Sequence, residues 1–453
     1  MRGLKSTIAL VVVLAGLGGY IYFVTLKKPA DDGTPKLEKV FASLQADKIS
    51  ELKVTSSSGD VTTLKKDKNA WQMTAPIVTR ASDMEATTIS TDLSTLEVSH
   101  VVDENPADLK DYGLVTPRIQ IEFKVEGDKD YRRLLVGEKS ATGMDLYAKR
   151  NDEKRVFLIP TYVEPQLDQS TFDLRDKLVL KFEHDKVNGI DMSADGKTTL
   201  QAAKQGMDWK LLKPFALPAD YSSVDQLLGR LQSAAMKSIV TADATAADLK
   251  KYGFDKPSGT LSVSTDGGRS TLVIGGKTPG AKGQNDYYVR DAARPVVMTI
   301  DGSFLDELKK SGNDYRRKDL FEFRGFNADR IEIARMSQTV AFEKVKAQGS
   351  GADKWRRVSP NAGDVDGMKM ETLLAKLENM RANSFVDSTA KTGLDKPAAT
   401  VYAKFDDGKK EERVTFGQVG TEAYASRPGE PGAAKVSAAE FTDLNKALDD
   451  VAK

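Results

Sequence analysis

The sequence predicts an α+β protein: an N-terminal transmembrane helix followed by three tandem repeats, each a mainly antiparallel sheet with one or two packed helices. Three observations carry this prediction. A Trp-x4-Pro step occurs three times, from Trp71 to Pro76, Trp209 to Pro214 and Trp355 to Pro360, and these are the only tryptophans in 453 residues. The tryptophans are separated by 138 and 146 residues, intervals long enough for each unit to bury its own core and far too long for solenoid turns. A run of 20 uncharged residues, Thr7 to Leu26, lies between Lys5 and Lys27.

The predicted boundaries are 1–28 for a membrane anchor, 29–39 for a polar linker with two prolines, and 40–179, 180–320 and 321–453 for the repeats. At about 1.5 Å per residue the uncharged run spans a bilayer core of about 30 Å. Tyr20, Tyr22 and Phe23 sit at its distal end, where an aromatic belt meets the lipid–water boundary. Lys and Arg flank it on both sides, so charge alone does not orient it. A cleaved signal peptide is the competing reading; the one small-x-small candidate, Gly16-Leu17-Gly18, falls inside the span, which favours a retained anchor. Ala15, Gly16 and Gly19 crowd small side chains into mid-span, with Ala15 and Gly19 one helical turn apart, and are the expected contact with another membrane helix.

In the first repeat, Ile49, Leu52 and Val54 start a strand, Gly59-Asp60 turns it, and Val61 and Leu64 return. Ile89, Leu93 and Leu96 space as one helical face, with Asp83 placed to cap its start. Asn105-Pro106 is expected to open a second, short helix that Gly113 closes in a left-handed conformation. Beyond Pro117, Ile119, Ile121, Phe123 and Val125 alternate as a half-buried strand. The second repeat carries the helix face Val224, Leu227, Leu228 and Leu231; the third carries Met370, Leu373, Leu374 and Leu377 and ends on Phe441, Leu444 and Leu448. The joints, L-R-D-K-L from Leu174 and Y-R-R-K-D-L from Tyr315, have no Gly/Ser spacer, which predicts closely stacked modules.

The remaining signature is shared. Tyr112-Gly113 with Pro117 matches Tyr252-Gly253 with Pro257; the third copy keeps Gly393 and Pro397. A strand-like run then closes on Gly137, Gly275 and Gly417, followed by Tyr147, Tyr287 or Tyr288, and Tyr424. Phe41, Phe182 and Phe323 are read as the start of each copy, and Ala-Asp-Lys-Ile at Ile49 as the match of Ala-Asp-Arg-Ile at Ile331. All are turn-setting or core-filling types, so a structural role is expected for the tryptophans too.

Chemistry-bearing patterns are thin. A net charge of +1 favours no nucleic acid, and the absence of cysteine excludes disulfides, thiol nucleophiles and thiolate zinc sites. Gly276-Lys277-Thr278 lacks the upstream glycine of a phosphate loop and reads as a turn. Asp364-Val365-Asp366-Gly367 resembles part of a calcium loop, but Ala375 stands where the bidentate Glu belongs, so a helix cap is expected. The two histidines, His100 and His184, fall at non-equivalent places. No catalytic residue, cofactor or metal is predicted, and the chain is expected not to be an enzyme.

The opening M-R-G-L-K-S-T with G-G-Y-I-Y-F, the W-x4-P step and the Y-G-L-x-x-P step together resemble the bacterial domain-of-unknown-function family numbered 4340, over nearly the whole chain and best in the first two repeats. The resemblance implies an inner-membrane-anchored protein with its bulk in the periplasm. It further implies partners, an ABC transporter permease of gliding-motility type and its extracytoplasmic subunit, and carries no catalytic residues. The resulting expectation is a non-enzymatic accessory or scaffold protein of such an envelope system; the alternative is a binding module for cell-wall glycan or another envelope polymer.

Overall fold

The computed structural model describes residues 37–280, 285–335, 338–347 and 353–452. The predicted membrane span, with Ala15, Gly16 and Gly19, lies outside these. Among the described residues no helix is long and apolar enough to cross a membrane.

The first module contains nine strands: β1 (Ile49–Thr55), β2 (Val61–Asp67), β3 (Ala70–Ala75), β4 (Thr79–Arg80), β5 (His100–Asp103), β6 (Ile119–Val125), β7 (Arg132–Lys139), β8 (Asp145–Arg150) and β9 (Val156–Pro160). They form one sheet in the order β4-β3-β2-β1-β6-β7-β8-β9-β5. Two meanders, β1 to β4 and β6 to β9, meet where β1 pairs antiparallel with β6. Helix α1 (Asp83–Thr95) leaves one edge at β4, and the chain after it supplies β5 at the opposite edge. Its stripe Ala86, Ile89 and Leu93 joins Leu52, Val54, Leu64, Ile121 and Phe123 in one buried cluster. An antiparallel sheet covered on one side alternates apolar-in and polar-out. Accordingly the other face carries charges: Lys53 pairs with Glu122 at 2.7 Å, and the Tyr131 hydroxyl donates to Glu51 at 2.7 Å. That bond to Glu51, helped by burial, raises the Tyr131 hydroxyl to about 12.

The second and third modules repeat the nine-strand order without change. Their helices α2 (Tyr221–Gln232) and α3 (Gly367–Glu378) bury the predicted faces. The third adds a long last helix, α4 (Ala438–Ala452), packed on α3, with Lys376 3.2 Å from Asp443. The expectation of three tandem antiparallel α+β repeats is therefore met.

Several local expectations are corrected. Ser82, not Asp83, caps α1, accepting the Glu85 N–H at 3.3 Å; Asp83 turns back and accepts the Trp71 N–H at 2.7 Å. No helix starts at Asn105-Pro106: the Asn105 N–H is held by Asp103 at 2.9 Å, and a single 3-10 turn, Lys110–Tyr112, precedes Gly113. Only the second copy forms an α-helix here, Ala246–Lys251, because Thr245 and Asp248 supply a reciprocal cap. The phenylalanine match also shifts. Val40, Val179 and Leu320 donate to equivalent carbonyls, Leu96, Ala234 and Met380, so Phe41 corresponds to Leu180 and Phe321. Strand register likewise pairs Ile331 with Leu52 and Ile190, not with Ile49.

The chain divides into two compact units, Met1–Lys177 and Leu178–Lys453. Within the first, the joint lies as an extra strand on the β4 edge: Ser82 N–H donates to Leu174 O (2.9 Å) and Asp176 N–H to Arg80 O (3.0 Å). Within the second, Asp220 N–H donates to Tyr315 O (2.8 Å) and Arg317 N–H to Pro218 O (3.0 Å) in the same pattern. Modules two and three are clamped by Arg316, which is 4% exposed. Its guanidinium donates to Pro431 O at 2.9 Å and to Glu430, and lies 4.1 Å from the Phe385 ring centre. For this pair the close stacking predicted by the spacer-free joint is observed.

Candidate functional site

The signature residues fall into two clusters in each module. The first is a glycine latch. Gly113, Gly253 and Gly393 all take positive φ, ending the short turn before the next strand. A Cβ on them would stand 2.9 Å from Glu138 N, 2.8 Å from Gly276 N and 3.0 Å from Gln418 N. Gly137, Gly275 and Gly417 face them, and a Cβ there would overlap the carbonyl oxygens of Tyr112, Tyr252 and Thr392. Tyr112 packs against Tyr147 at 5.1 Å between ring centres and Tyr252 against Tyr288 at 4.6 Å, which identifies Tyr288 as the repeat tyrosine. Thr392 replaces the first ring in the third copy, and Tyr424 instead donates its hydroxyl to Glu422 at 2.7 Å. Pro117, Pro257 and Pro397 each stand two residues before the following strand. These residues build the fold.

The second cluster is a corner formed by the Trp strand, the strand before it, the first turn of the helix and the segment leading into the first strand. Pro76, Pro214 and Pro360 each follow a cis peptide bond at its far end. Across the strand pair, Trp71, Trp209 and Trp355 stand opposite Lys66, Lys204 and Lys344. Lys66 Nζ lies 5.9 Å from the Trp71 ring centre and Lys344 Nζ 5.6 Å from that of Trp355. The sequence reading missed this lysine. Its signal, a Lys five residues before the Trp, is present in two copies and hidden in the third by a longer hairpin loop.

The corner is closed in the first module, narrower in the second and open in the third. Trp71 is 3% exposed; Asp83 takes its N–H and its C=O accepts from Ala81 N–H at 3.0 Å. In the second module Trp209 is buried too, and a cleft of about 150 Å³ beside it holds His184, Lys204, Tyr221 and Asp225, with His184 Nε2 3.3 Å from Asp225. In the third, Trp355 is half-buried beside a groove of about 950 Å³. Three positions differ here from the first module, and two of them, Gly367 and Phe326, line the groove. Gly367 takes the helix position of Asp83, Arg357 the strand position of Met73, and Phe326, 84% exposed, stands in the segment leading into the first strand. Lys344 Nζ donates to Phe326 O at 2.9 Å and Gly325 O at 3.2 Å, and burial lowers its pKa against the opposing pull of Asp329 and Asp353.

The other sequence candidates resolve as ordinary structure. Gly276 N–H donates to Tyr252 O at 2.8 Å at the end of a strand. Asp366 caps α3, accepting from Met368 N–H at 2.9 Å and Lys369 N–H at 3.2 Å. His100 is exposed on β5. Among the described residues no group of three or more His, Asp or Glu is arranged to hold a metal ion.

Among curated proteins nothing matches. Solved structures similar to this chain include a DNA polymerase sliding clamp from Pseudomonas aeruginosa with ligand, at 8% identity and a TM-score of 0.15, covering 88% of this chain and 93% of the clamp. The same kind of clamp from that organism bound to griselimycin matches at 7% identity and a TM-score of 0.14, over 86% and 93%. At such TM-scores the likeness carries no argument. The family described as Domain of unknown function (DUF4340) matches residues 71–210, 209–397 and 355–453, which take in all three Trp-x4-Pro steps. On that coverage and the threefold recurrence of its motifs, the chain belongs to the DUF4340 family.

Proposed function

We propose that this protein is a non-enzymatic accessory or scaffold subunit, anchored in the bacterial inner membrane by residues 7–26, with its three modules in the periplasm. One observation carries the scaffold reading: the residues that the copies share build turns and cores, whereas the corner beside each tryptophan differs from copy to copy. A shared frame with divergent recesses suits the presentation of different surfaces to partners. The family resemblance supplies the partners, an ABC transporter permease of gliding-motility type and its extracytoplasmic subunit, and Ala15, Gly16 and Gly19 are the proposed contact in the membrane. Pull-down from native membranes in mild detergent tests this reading. Recovery of the transporter subunits in fixed ratio supports it; recovery of the chain alone after cross-linking counts against it.

A second reading, a binding module for cell-wall glycan or another envelope polymer, is favoured by the groove in which Trp355 and the exposed Phe326 stand among charged side chains. Flat aromatic faces beside hydrogen-bonding groups suit a polymer of sugar rings. Retention on purified peptidoglycan, lost on Phe326→Ala, distinguishes it.

A further inference from the structure

The edge formed by β4 in the first module and by its counterpart in the second is occupied; among the described residues the equivalent edge of the third module is unpaired. In the first, the joint residues Leu174 to Asp176 lie along it, accepting from Ser82 N–H and donating to Arg80 O. In the second, Tyr315 to Arg317 do the same with Asp220 N–H and Pro218 O. Each joint segment places an apolar or aromatic residue, then Arg, then a charged residue on the edge, and buries Ala81 or Ala219 beneath it. The corresponding edge in the third module is Gly363–Asp364 with Val365 and Asp366. Here, among the described residues, no segment pairs with it: Asp366 N–H and Asp364 C=O, the counterparts of the two bonding groups, have no partner. Val365 is half-buried where Ala81 and Ala219 are covered, and Asp364, Val365 and Gly367 also line the groove at Trp355.

We propose that the third module binds, along Asp364–Asp366, an extended peptide segment of a partner protein, antiparallel and of the pattern apolar–Arg–charged. Strand addition gives affinity through the backbone and specificity through alternate side chains. The first two modules show the occupant that this edge accepts, and the third presents the same groups to solvent. The inference deepens the scaffold reading by naming what one module surface takes. Its test needs no membrane partner, so the two can fail separately.

The probe is a labelled octapeptide with the sequence of residues 170–177, Ser-Thr-Phe-Asp-Leu-Arg-Asp-Lys, titrated against the full-length protein in detergent and read by fluorescence polarisation and amide hydrogen exchange. Saturable binding is expected, with slowed exchange confined to residues 363–366. Methylating the peptide nitrogen that corresponds to Asp176 should weaken binding by about tenfold, since it removes one of two backbone bonds. No binding at millimolar peptide, equal binding of the methylated peptide, or protection elsewhere in the chain would each overturn the proposal.

Discussion

The carbonyl oxygen of Tyr112 occupies the space in which a Cβ on Gly137 would sit, and the pairs Tyr252–Gly275 and Thr392–Gly417 repeat the relationship. The Y-G turn thereby rests directly on the strand that ends the L-V-G run. Any side chain at the second glycine must push the turn away. Gly137→Ala, Gly275→Ala and Gly417→Ala are each expected to destabilise their module by about 1–3 kcal/mol, the usual cost of overpacking. Gly229, inside α2 with open space around it, is the control: Gly229→Ala should stabilise by about 1 kcal/mol through helix propensity. Thermal unfolding of the four variants checks both signs.

The tryptophans should not be equal. Trp209 is 5% exposed, and Trp209→Ala should cost about 3–5 kcal/mol. Trp355 is half-buried and should cost clearly less. Because modules two and three form one compact unit, loss of Trp209 should expose both to protease while residues up to Lys177 stay resistant. Limited proteolysis with mass mapping reads this; cleavage confined to 180–320 would show that the clamp at Arg316 does not couple them.

The joint between the second and third modules carries two predictions. Arg316→Ala removes one of the two guanidinium groups at Glu430, leaving Arg427 at 3.6 Å, and should destabilise the second unit by about 2 kcal/mol, the order of a hydrogen bond to a charged group. Nearby, burial raises the pKa of Glu322, but Arg317 and Arg427 outweigh it and hold the carboxyl below its ordinary value. A depressed folded pKa means stability that is present above the unfolded value and lost as pH falls through the folded one. Glu322→Gln should therefore lower the stability of the unit at neutral pH by roughly 1 kcal/mol at most, since the side chain is partly exposed and solvent screens it. The difference should vanish in acid below the ordinary carboxylate range. Denaturant melts at pH 7 and pH 3 measure it, and a gap that widens in acid would contradict the assignment.

The sequence showed the repeat, the helix faces and the antiparallel strands, because glycine, proline and tryptophan mark local geometry and apolar spacing marks faces. It misplaced what depends on pairing between distant strands. Ile49 and Ile331 share a local motif, yet register puts Ile331 with Leu52, and nothing within either tetrapeptide encodes that shift. The lysine opposite each tryptophan left a sequence signal in only two copies, and the pairing of the joint segments along the β4 edge left none, since both are contacts across a sheet. The third corner differs from the first by substitutions, Gly367 for Asp83 and Arg357 for Met73, whose meaning depends on knowing that these positions are equivalent.

The proposed scaffold role rests on three modules standing outside the inner membrane on a retained tether. A reporter active only in the cytoplasm, fused after Lys453, tests this most directly when combined with the N-terminal sequence of the mature protein. The account predicts a silent reporter and a mature chain that still carries Thr7 to Leu26. An active reporter, or a mature chain that begins after Leu26, would contradict it.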